Sequence, residues 1–313
     1  MSRAFVFPGQ GSQVVGMGRA LADAFPSARE VFQEVDDALN QKLSQILWEG
    51  PEADLTLTEN AQPALMAVSV AVVRTLEKES GKKLADLGRF VAGHSLGEYS
   101  ALAAVGAFTL ADTARLLKLR GQAMQKAVPV GEGGMCALLG ADLALAQEIA
   151  EAASQGEVCQ AANDNGGGQV VLSGKKTAIE RAIKIAGEKG VKRALPLPVS
   201  APFHCVMMQP AADAMADALG KTQIEIPSLP LVANVTARPV SDVEVIRRQL
   251  VEQVTGMVRW RESVEHMAEI GVEQFVELGA GKVLAGLVKR IAKDAATASI
   301  GTPDDIDAFL KSL

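Results

Sequence analysis

The sequence predicts an α/β fold in which a mostly parallel sheet is covered by helices on both faces and interrupted by a smaller ferredoxin-like unit. Three features predict it. Short apolar runs alternate with amphipathic ones through both ends of the chain, as strands joined by crossover helices do. Residues 133–197 change to the order strand, helix, strand, strand, helix, strand, which is the ferredoxin-like order. Residues 90–105, FVAGHSLGEYSALAAV, read as a buried strand, a tight turn and an Ala/Leu-rich helix in direct succession.

That turn, Gly93-His94-Ser95-Leu96-Gly97, is the centre of the functional reading. Gly-x-Ser-x-Gly between a strand and a helix is a nucleophile elbow, a bend so sharp that the serine needs neighbours without side chains and its hydroxyl is lifted above the sheet edge. Ser95 also stands at a helix N-terminus, where unpaired N–H groups and the positive dipole end favour a developing oxyanion. The geometry suits acyl transfer through a serine ester. The competing reading, a Gly-rich turn with a capping serine, loses weight because a strand precedes the pentapeptide and a helix follows it.

In chain order, Ala4 to Phe7 read as the first strand, followed by a Gly-rich loop and a helical stretch over 17–39 broken at Pro26. Both nucleotide fingerprints fail in that loop. Val14 stands where a dinucleotide fold needs its third Gly, and Met17 where a phosphate loop needs Lys. Gln10 in the same loop is either an ordinary loop residue or an amide that reaches over a strand end to help hold an oxyanion. Residues 62–77, QPALMAVSVAVVRTLE, predict a buried helix starting near Pro63.

Thr109 and Asp112 give a capping signal for a helix to about residue 126. At helical spacing Leu110, Ala114, Leu117, Gly121 and Met124 share one face, and Arg120 falls with them. A guanidinium beside an apolar stripe needs a partner, because an unpaired buried charge costs several kcal/mol. The partner is either an Asp or Glu of the chain or a substrate carboxylate held bidentately, which makes Arg120 and neighbouring Met124 candidate substrate-binding residues.

The ferredoxin-like unit is read from strands at 134–140, 157–163, 169–174 and 191–197, with helices over 143–153 and 177–188. Hinges are expected at Pro129-Val130-Gly131 and Pro196-Leu197-Pro198, so residues 129–198 form the small domain and 1–128 with 199–313 the large one. The run Asn163 to Gly168 reads as its hairpin loop rather than a phosphate cradle. Beyond it, Ser200-Ala201-Pro202-Phe203-His204 leads into a helix over 207–219. A strand at 231–236, helices over 243–255 and 261–270, a strand at 274–278, a helix over 282–292 and a final helix opened by Pro303 complete the chain.

A serine needs a base. The chain has three histidines. His94 belongs to the elbow itself and should point elsewhere, and His266 falls on the polar face of a helix whose Trp260, Val264 and Met267 turn inward. His204 remains, downstream of the nucleophile as in hydrolase-like folds. No acidic third member is evident, and a main-chain carbonyl can orient the imidazole instead.

Composition narrows the classes. At 313 residues, 48% hydrophobic and 22% charged, the chain is long enough for a sizeable core. The net charge of −6 argues against a general nucleic-acid binder. No signal peptide and no membrane span are expected, and Cys136, Cys159 and Cys205, an odd set without metal-like spacing, read as reduced packing thiols in a cytoplasmic protein.

Together, FVFPGQGSQ at the start, ENAQPAL at 59–65, GHSLGEYSAL at 93–102, Arg120 in LKLRGQAM and His204 in PFHC resemble the malonyl-CoA:acyl-carrier-protein transacylases of bacterial fatty-acid synthesis over nearly the whole chain. The resemblance implies a hydrolase-like large domain interrupted by a ferredoxin-like one, with the site in the cleft between them. It implies a ping-pong transfer of malonyl from coenzyme A to Ser95 and on to the phosphopantetheine thiol of acyl carrier protein, with malonyl-CoA as substrate and neither metal nor permanently bound cofactor. Nucleic acid and membrane are not expected partners, and a monomer is expected.

By position, the resemblance makes Ser95 the nucleophile and His204 the general base. Gln10 and the Leu96 N–H become the oxyanion donors, Arg120 the clamp for the malonyl carboxylate, and Gln253 the residue whose carbonyl orients the histidine. Asn163 and Gln169 match cleft residues. Two departures stand out: Phe203 replaces a serine found in many stand-alone members and is read as narrowing the acyl pocket, and VTGMVRW lacks the Asn-Pro common after the Gln253 position. Two rivals are a serine thioesterase with water as acceptor, and an idle docking module presenting Lys189, Lys192, Arg193, Lys282, Lys289 and Arg290 to an acidic carrier.

Overall fold

The computed structural model describes residues 2–199 and 201–313; Ser200, counted above in the connection ahead of His204, lies outside the described residues. The chain begins with β1 (Arg3–Phe7), α1 (Arg19–Ala24) and α2 (Pro26–Leu39), then two short helices, α3 (Leu43–Glu49) and α4 (Glu52–Thr56), ahead of the interior helix α5 (Thr58–Ser80). After α6 (Leu84–Leu87) come β2 (Phe90–Gly93), α7 (Gly97–Ala104) and α8 (Leu110–Ala127). The middle of the chain holds β3 (Gly133–Leu139), α9 (Leu143–Ser154), β4 (Cys159–Asp164), β5 (Gln169–Lys175), α10 (Lys176–Glu188) and β6 (Arg193–Pro196).

A short 3-10 turn, Val206–Met208, leads into α11 (Gln209–Lys221), then β7 (Leu231–Val232), β8 (Pro239–Val240), α12 (Val243–Thr255) and α13 (Trp260–Glu269). The last elements are β9 (Gln274–Leu278), α14 (Val283–Ile291), β10 (Ala296–Ile300) and α15 (Pro303–Leu310).

Six strands form the larger sheet in the order β10-β9-β1-β2-β7-β8, parallel except for the β7–β8 hairpin at its edge. Strand β1 shows why its apolar run is continuous: Phe5 and Phe7 enter one buried cluster while Ala4 and Val6 enter another, so helices cover both faces. The second sheet, β4-β5-β3-β6, is antiparallel throughout and carries α9 and α10, in the order expected for residues 133–197. Its β4–β5 end docks on the larger sheet's helices: Asp164 N donates to Val258 O at 2.9 Å, Val258 N to Ala162 O at 2.9 Å, and Arg261 Nε to Asp164 Oδ2 at 2.8 Å.

Three expectations need correction. The helix predicted from Pro63 begins at Thr58 and keeps Pro63 inside it, because its first turn buries the polar Thr58, Asn60 and Gln62 and so carries no apolar periodicity. The strand predicted at 231–236 is only Leu231–Val232. The main chain turns away at Asn234, whose N–H donates to the Glu98 carboxylate at 2.7 Å rather than to a neighbouring strand. Strand β10 was not anticipated, since it lies at the sheet edge with only Ile300 buried and ATASI therefore carries no apolar run.

Candidate functional site

The elbow is built as its sequence predicts. Ser95 sits at φ 54 between the end of β2 and the start of α7, and the flanking glycines make this possible. A Cβ on Gly93 would lie 1.9 Å from the Gly97 carbonyl carbon, and one on Gly97 would lie 2.3 Å from Phe7 O. Asn234 braces the bend from the neighbouring strand end: its Oδ1 accepts from Ser95 N at 2.8 Å and its Nδ2 donates to Gly93 O at 2.7 Å. Leu96, next in line at the α7 N-terminus, has a main-chain N–H with no hydrogen-bond acceptor among the described residues.

His204 also adopts a positive φ, 58°, and reaches back across 109 positions so that its Nε2 lies 2.7 Å from Ser95 Oγ. The other ring nitrogen faces two carbonyls, Gln253 O at 2.9 Å and Gly256 O at 3.1 Å. Carbonyls only accept, so Nδ1 carries the proton and Nε2 presents its lone pair to the serine O–H. Burial, and next the nearby Arg120 charge, push the imidazole down to about 3, which keeps it neutral in the resting site.

Arg120 enters from α8, where the expected apolar face (Leu110, Ala114, Leu117, Gly121 and Met124) is buried. Only 1% exposed, its guanidinium donates from Nη1 to Gln62 Oε1 at 2.7 Å, and from Nη2 to Gln253 Oε1 at 2.8 Å and Ser95 Oγ at 3.1 Å. It also lies over the Tyr99 ring, 5.7 Å from the centroid. None of the hydrogen-bond partners is a carboxylate, so of the two expected kinds of partner, a directly bonded Asp or Glu is not the one present. Met124, one turn on, supports this arrangement from behind: its Sδ accepts from Gln62 Nε2 at 3.7 Å.

Gln253 joins these groups through both ends of one residue. Its carbonyl accepts from His204, its Oε1 accepts from Arg120, and its Nε2 donates to Ser95 O at 2.9 Å and to Glu98 Oε2. Phe203 is buried immediately before His204. Gln10 is exposed at the loop after β1 and donates to Thr58 Oγ1 over a long 3.4 Å. Asn163 is buried in β4, where it bridges to Val258, and Gln169 opens β5, its Oε1 accepting from Arg290 at 3.5 Å. No hydrogen bond joins Gln10, Asn163 or Gln169 to Ser95, His204 or Arg120 among the described residues.

The other histidines fall as expected. His94 turns away from the serine site, its Nε2 2.8 Å from Asn165 Oδ1 in the β4–β5 loop, while Trp260, Val264 and Met267 are buried on the face of α13 away from His266. Sequence reasoning missed Glu98, Asn234 and Gln62, all buried and all bonded to the residues above. The one available signal was a polar residue inside an otherwise apolar stretch, as in PLVAN and ENAQPAL.

An alcohol bonded to a neutral imidazole on a hydrolase-like α/β sheet defines the class: proteins that carry an acyl group on serine. The acyl transferase domain family model matches residues 4–307. The chain therefore belongs to the acyl transferase family and, within it, to the malonyl CoA-acyl carrier protein transacylases. The relative from Bacillus subtilis is 43% identical over 99% of this chain and 96% of its own, and the one from Escherichia coli K12 is 44% identical over 98% of each. Among solved structures, an acyl-carrier-protein-S-malonyltransferase from Bartonella henselae is 56% identical with a TM-score of 0.98, covering 100% of this chain and 99% of that one. A malonyl-transacylase in complex with a type II PKS acyl-carrier protein is 42% identical with a TM-score of 0.96 over 100% of both.

Proposed function

We propose that the chain moves malonyl from malonyl-CoA to the phosphopantetheine thiol of acyl carrier protein in two half-reactions that share Ser95. In the first, His204 Nε2 takes the Ser95 proton as Oγ attacks the thioester carbonyl. The oxyanion is met by the Leu96 N–H and by Gln10, which exchanges its long bond to Thr58 for the developing charge. The intermediate collapses as the C–S bond breaks, and the imidazolium returns its proton to the departing coenzyme A thiolate. The carrier thiol then gives its proton to His204 and attacks the Ser95 ester, and the serine oxygen leaves as an alcohol.

Arg120 receives the malonyl carboxylate in this reading, and Gln253 holds His204 through its carbonyl. Phe203 narrows the acyl pocket, Met124 backs the clamp, and Asn163 and Gln169 line the cleft. Residues 1–128 with 199–313 act as the large domain and 129–198 as the small one. The chemistry is supplied by the side chains and the thioester alone, without a resident cofactor, and the reading includes a cytoplasmic location; no described helix is long and apolar enough to cross a membrane. The observation that carries it is one oxygen, Ser95 Oγ, 2.7 Å from a base and 3.1 Å from a guanidinium.

Intact mass after mixing with malonyl-CoA tests the reading, with one malonyl adduct expected on Ser95 and discharge on adding acyl carrier protein. Equal consumption of malonyl-CoA with and without the carrier would make the protein a thioesterase instead. No adduct and no consumption would leave it a docking module.

A further inference from the structure

Behind Ser95, one turn into α7, the Glu98 side chain is 2% exposed and both of its oxygens are occupied as acceptors. Oε1 takes the Asn234 N–H at 2.7 Å, and Oε2 takes Gln253 Nε2. On the far side of the same amide, Gln253 Oε1 accepts from Arg120 Nη2. A guanidinium only donates and an ionised carboxylate only accepts, so the two partners together dictate which end of the Gln253 amide faces which way. With the amide reversed, a donor would face Arg120 and an acceptor would face Glu98, and both bonds would be lost.

We propose that Glu98 is a positioning residue for recognition of the acyl carboxylate, acting through Gln253 to hold the Arg120 guanidinium against Ser95. This deepens the transacylase reading and rests on Arg120 as the clamp in it. Glu98 touches neither the thioester nor the reacting oxygen. Its charge reaches the clamp through the amide, leaving the guanidinium without a direct carboxylate partner and free to take one from the substrate. Protonation turns one Glu98 carboxylate oxygen into a hydroxyl, a weaker acceptor that no longer gives a charge-assisted bond, so the neutral acid holds one of its two donors less firmly. Burial raises this carboxyl to about 7, against the Asn234 and Gln253 hydrogen bonds and the Arg120 charge that lower it. The charged or titratable groups interacting with it are Arg120 from α8 and Tyr99 beside it on α7.

The test compares transfer from malonyl-CoA with transfer from acetyl-CoA, which lacks the carboxylate, in the wild type, Glu98→Gln and Arg120→Ala. The expected result is a malonyl-to-acetyl ratio of kcat/KM about tenfold or more lower in Glu98→Gln, the size of one hydrogen bond to a charged group. A second readout is the pH dependence: in the wild type alone the ratio falls as pH drops through about 7, and Glu98→Gln serves as the flat control. An unchanged ratio in Glu98→Gln, an equal loss of both transfers, or a pH-independent wild-type ratio overturns the proposal while leaving the clamp intact. An unchanged ratio in Arg120→Ala removes the clamp itself and this proposal with it.

Discussion

Arg120 Nη2 lies 3.1 Å from Ser95 Oγ, the oxygen that His204 Nε2 also contacts at 2.7 Å. A fixed positive charge therefore stands beside the two residues proposed as nucleophile and base. In the proposed reaction it would disfavour the imidazolium formed as His204 takes the serine proton, and a substrate carboxylate neutralising it would remove part of that cost. Replacement of Arg120 by Ala should accordingly raise the His204 ring toward its ordinary 6.5. With three histidines in the chain, NMR titration resolves the change directly. A His204 titration identical to wild type would mean that the Arg120 charge plays no part in setting it.

The same variant should shift acyl preference. A substrate carboxylate that has lost a charged, bidentate partner forfeits binding on the order of 10- to 100-fold, whereas an uncharged acyl group never used that partner. Competition between malonyl-CoA and an uncharged acyl-CoA should show malonyl transfer falling while the other is kept or gains. Undiminished malonyl preference would take Arg120 out of substrate recognition.

Gln10 is exposed and its bond to Thr58 is 3.4 Å long, so the amide is available at small cost. If it meets the oxyanion, Gln10→Ala should lower kcat on the order of 10²- to 10³-fold with little change in KM, as loss of an oxyanion donor does. Loss confined to KM would make Gln10 a binding residue.

Parts of this site were legible because their constraints are local. The elbow needs glycine at Gly93 and Gly97 whatever surrounds it, and helical spacing alone brings Arg120 onto the buried face of α8. His204 followed from scarcity. Glu98, Asn234 and Gln62 were not legible, because what makes them matter is a partner far along the chain: Asn234 bonds Glu98 across 136 positions, and Gln62 bonds Arg120 across 58. The same cause spoiled the strand at 231–236, where a strand-like run gave way at Asn234 because tertiary bonds took its main chain elsewhere.

Asn234 invites a direct test. It is the side chain that holds Ser95 N and Gly93 O together, and so stabilises a positive φ that a serine does not adopt unaided. Asn234→Ala leaves two main-chain groups without partners, at about 1–3 kcal/mol each. Thermal melts should register that loss, and kcat should fall further than KM rises because the hydroxyl is no longer held at the imidazole. Asn234→Asp should retain the acceptor for Ser95 N but not the donor for Gly93 O, and fall between. Wild-type turnover in the Ala variant would show that Gly93 and Gly97 suffice to set the bend.

Stability against pH separates the two buried titrating groups by sign. Glu98 is raised from 4.5 to about 7, so the folded state holds more protons there than the unfolded chain; the associated stability is full below 4.5 and is lost as pH rises through about 7. His204 is lowered from 6.5 to about 3, so its contribution is full above 6.5 and is lost as pH falls through about 3. Between 4.5 and 6.5 the slopes oppose, and these two groups together leave wild-type stability nearly level. Glu98→Gln removes the falling part and leaves the rising one, at about 1.4 kcal/mol per pH unit. Urea unfolding of both proteins across that window measures the gap between them, in which every other titrating group cancels. The wild type should lose ground to Glu98→Gln as pH rises, and a gap independent of pH would mean that the Glu98 carboxyl titrates alike in the folded and unfolded chains.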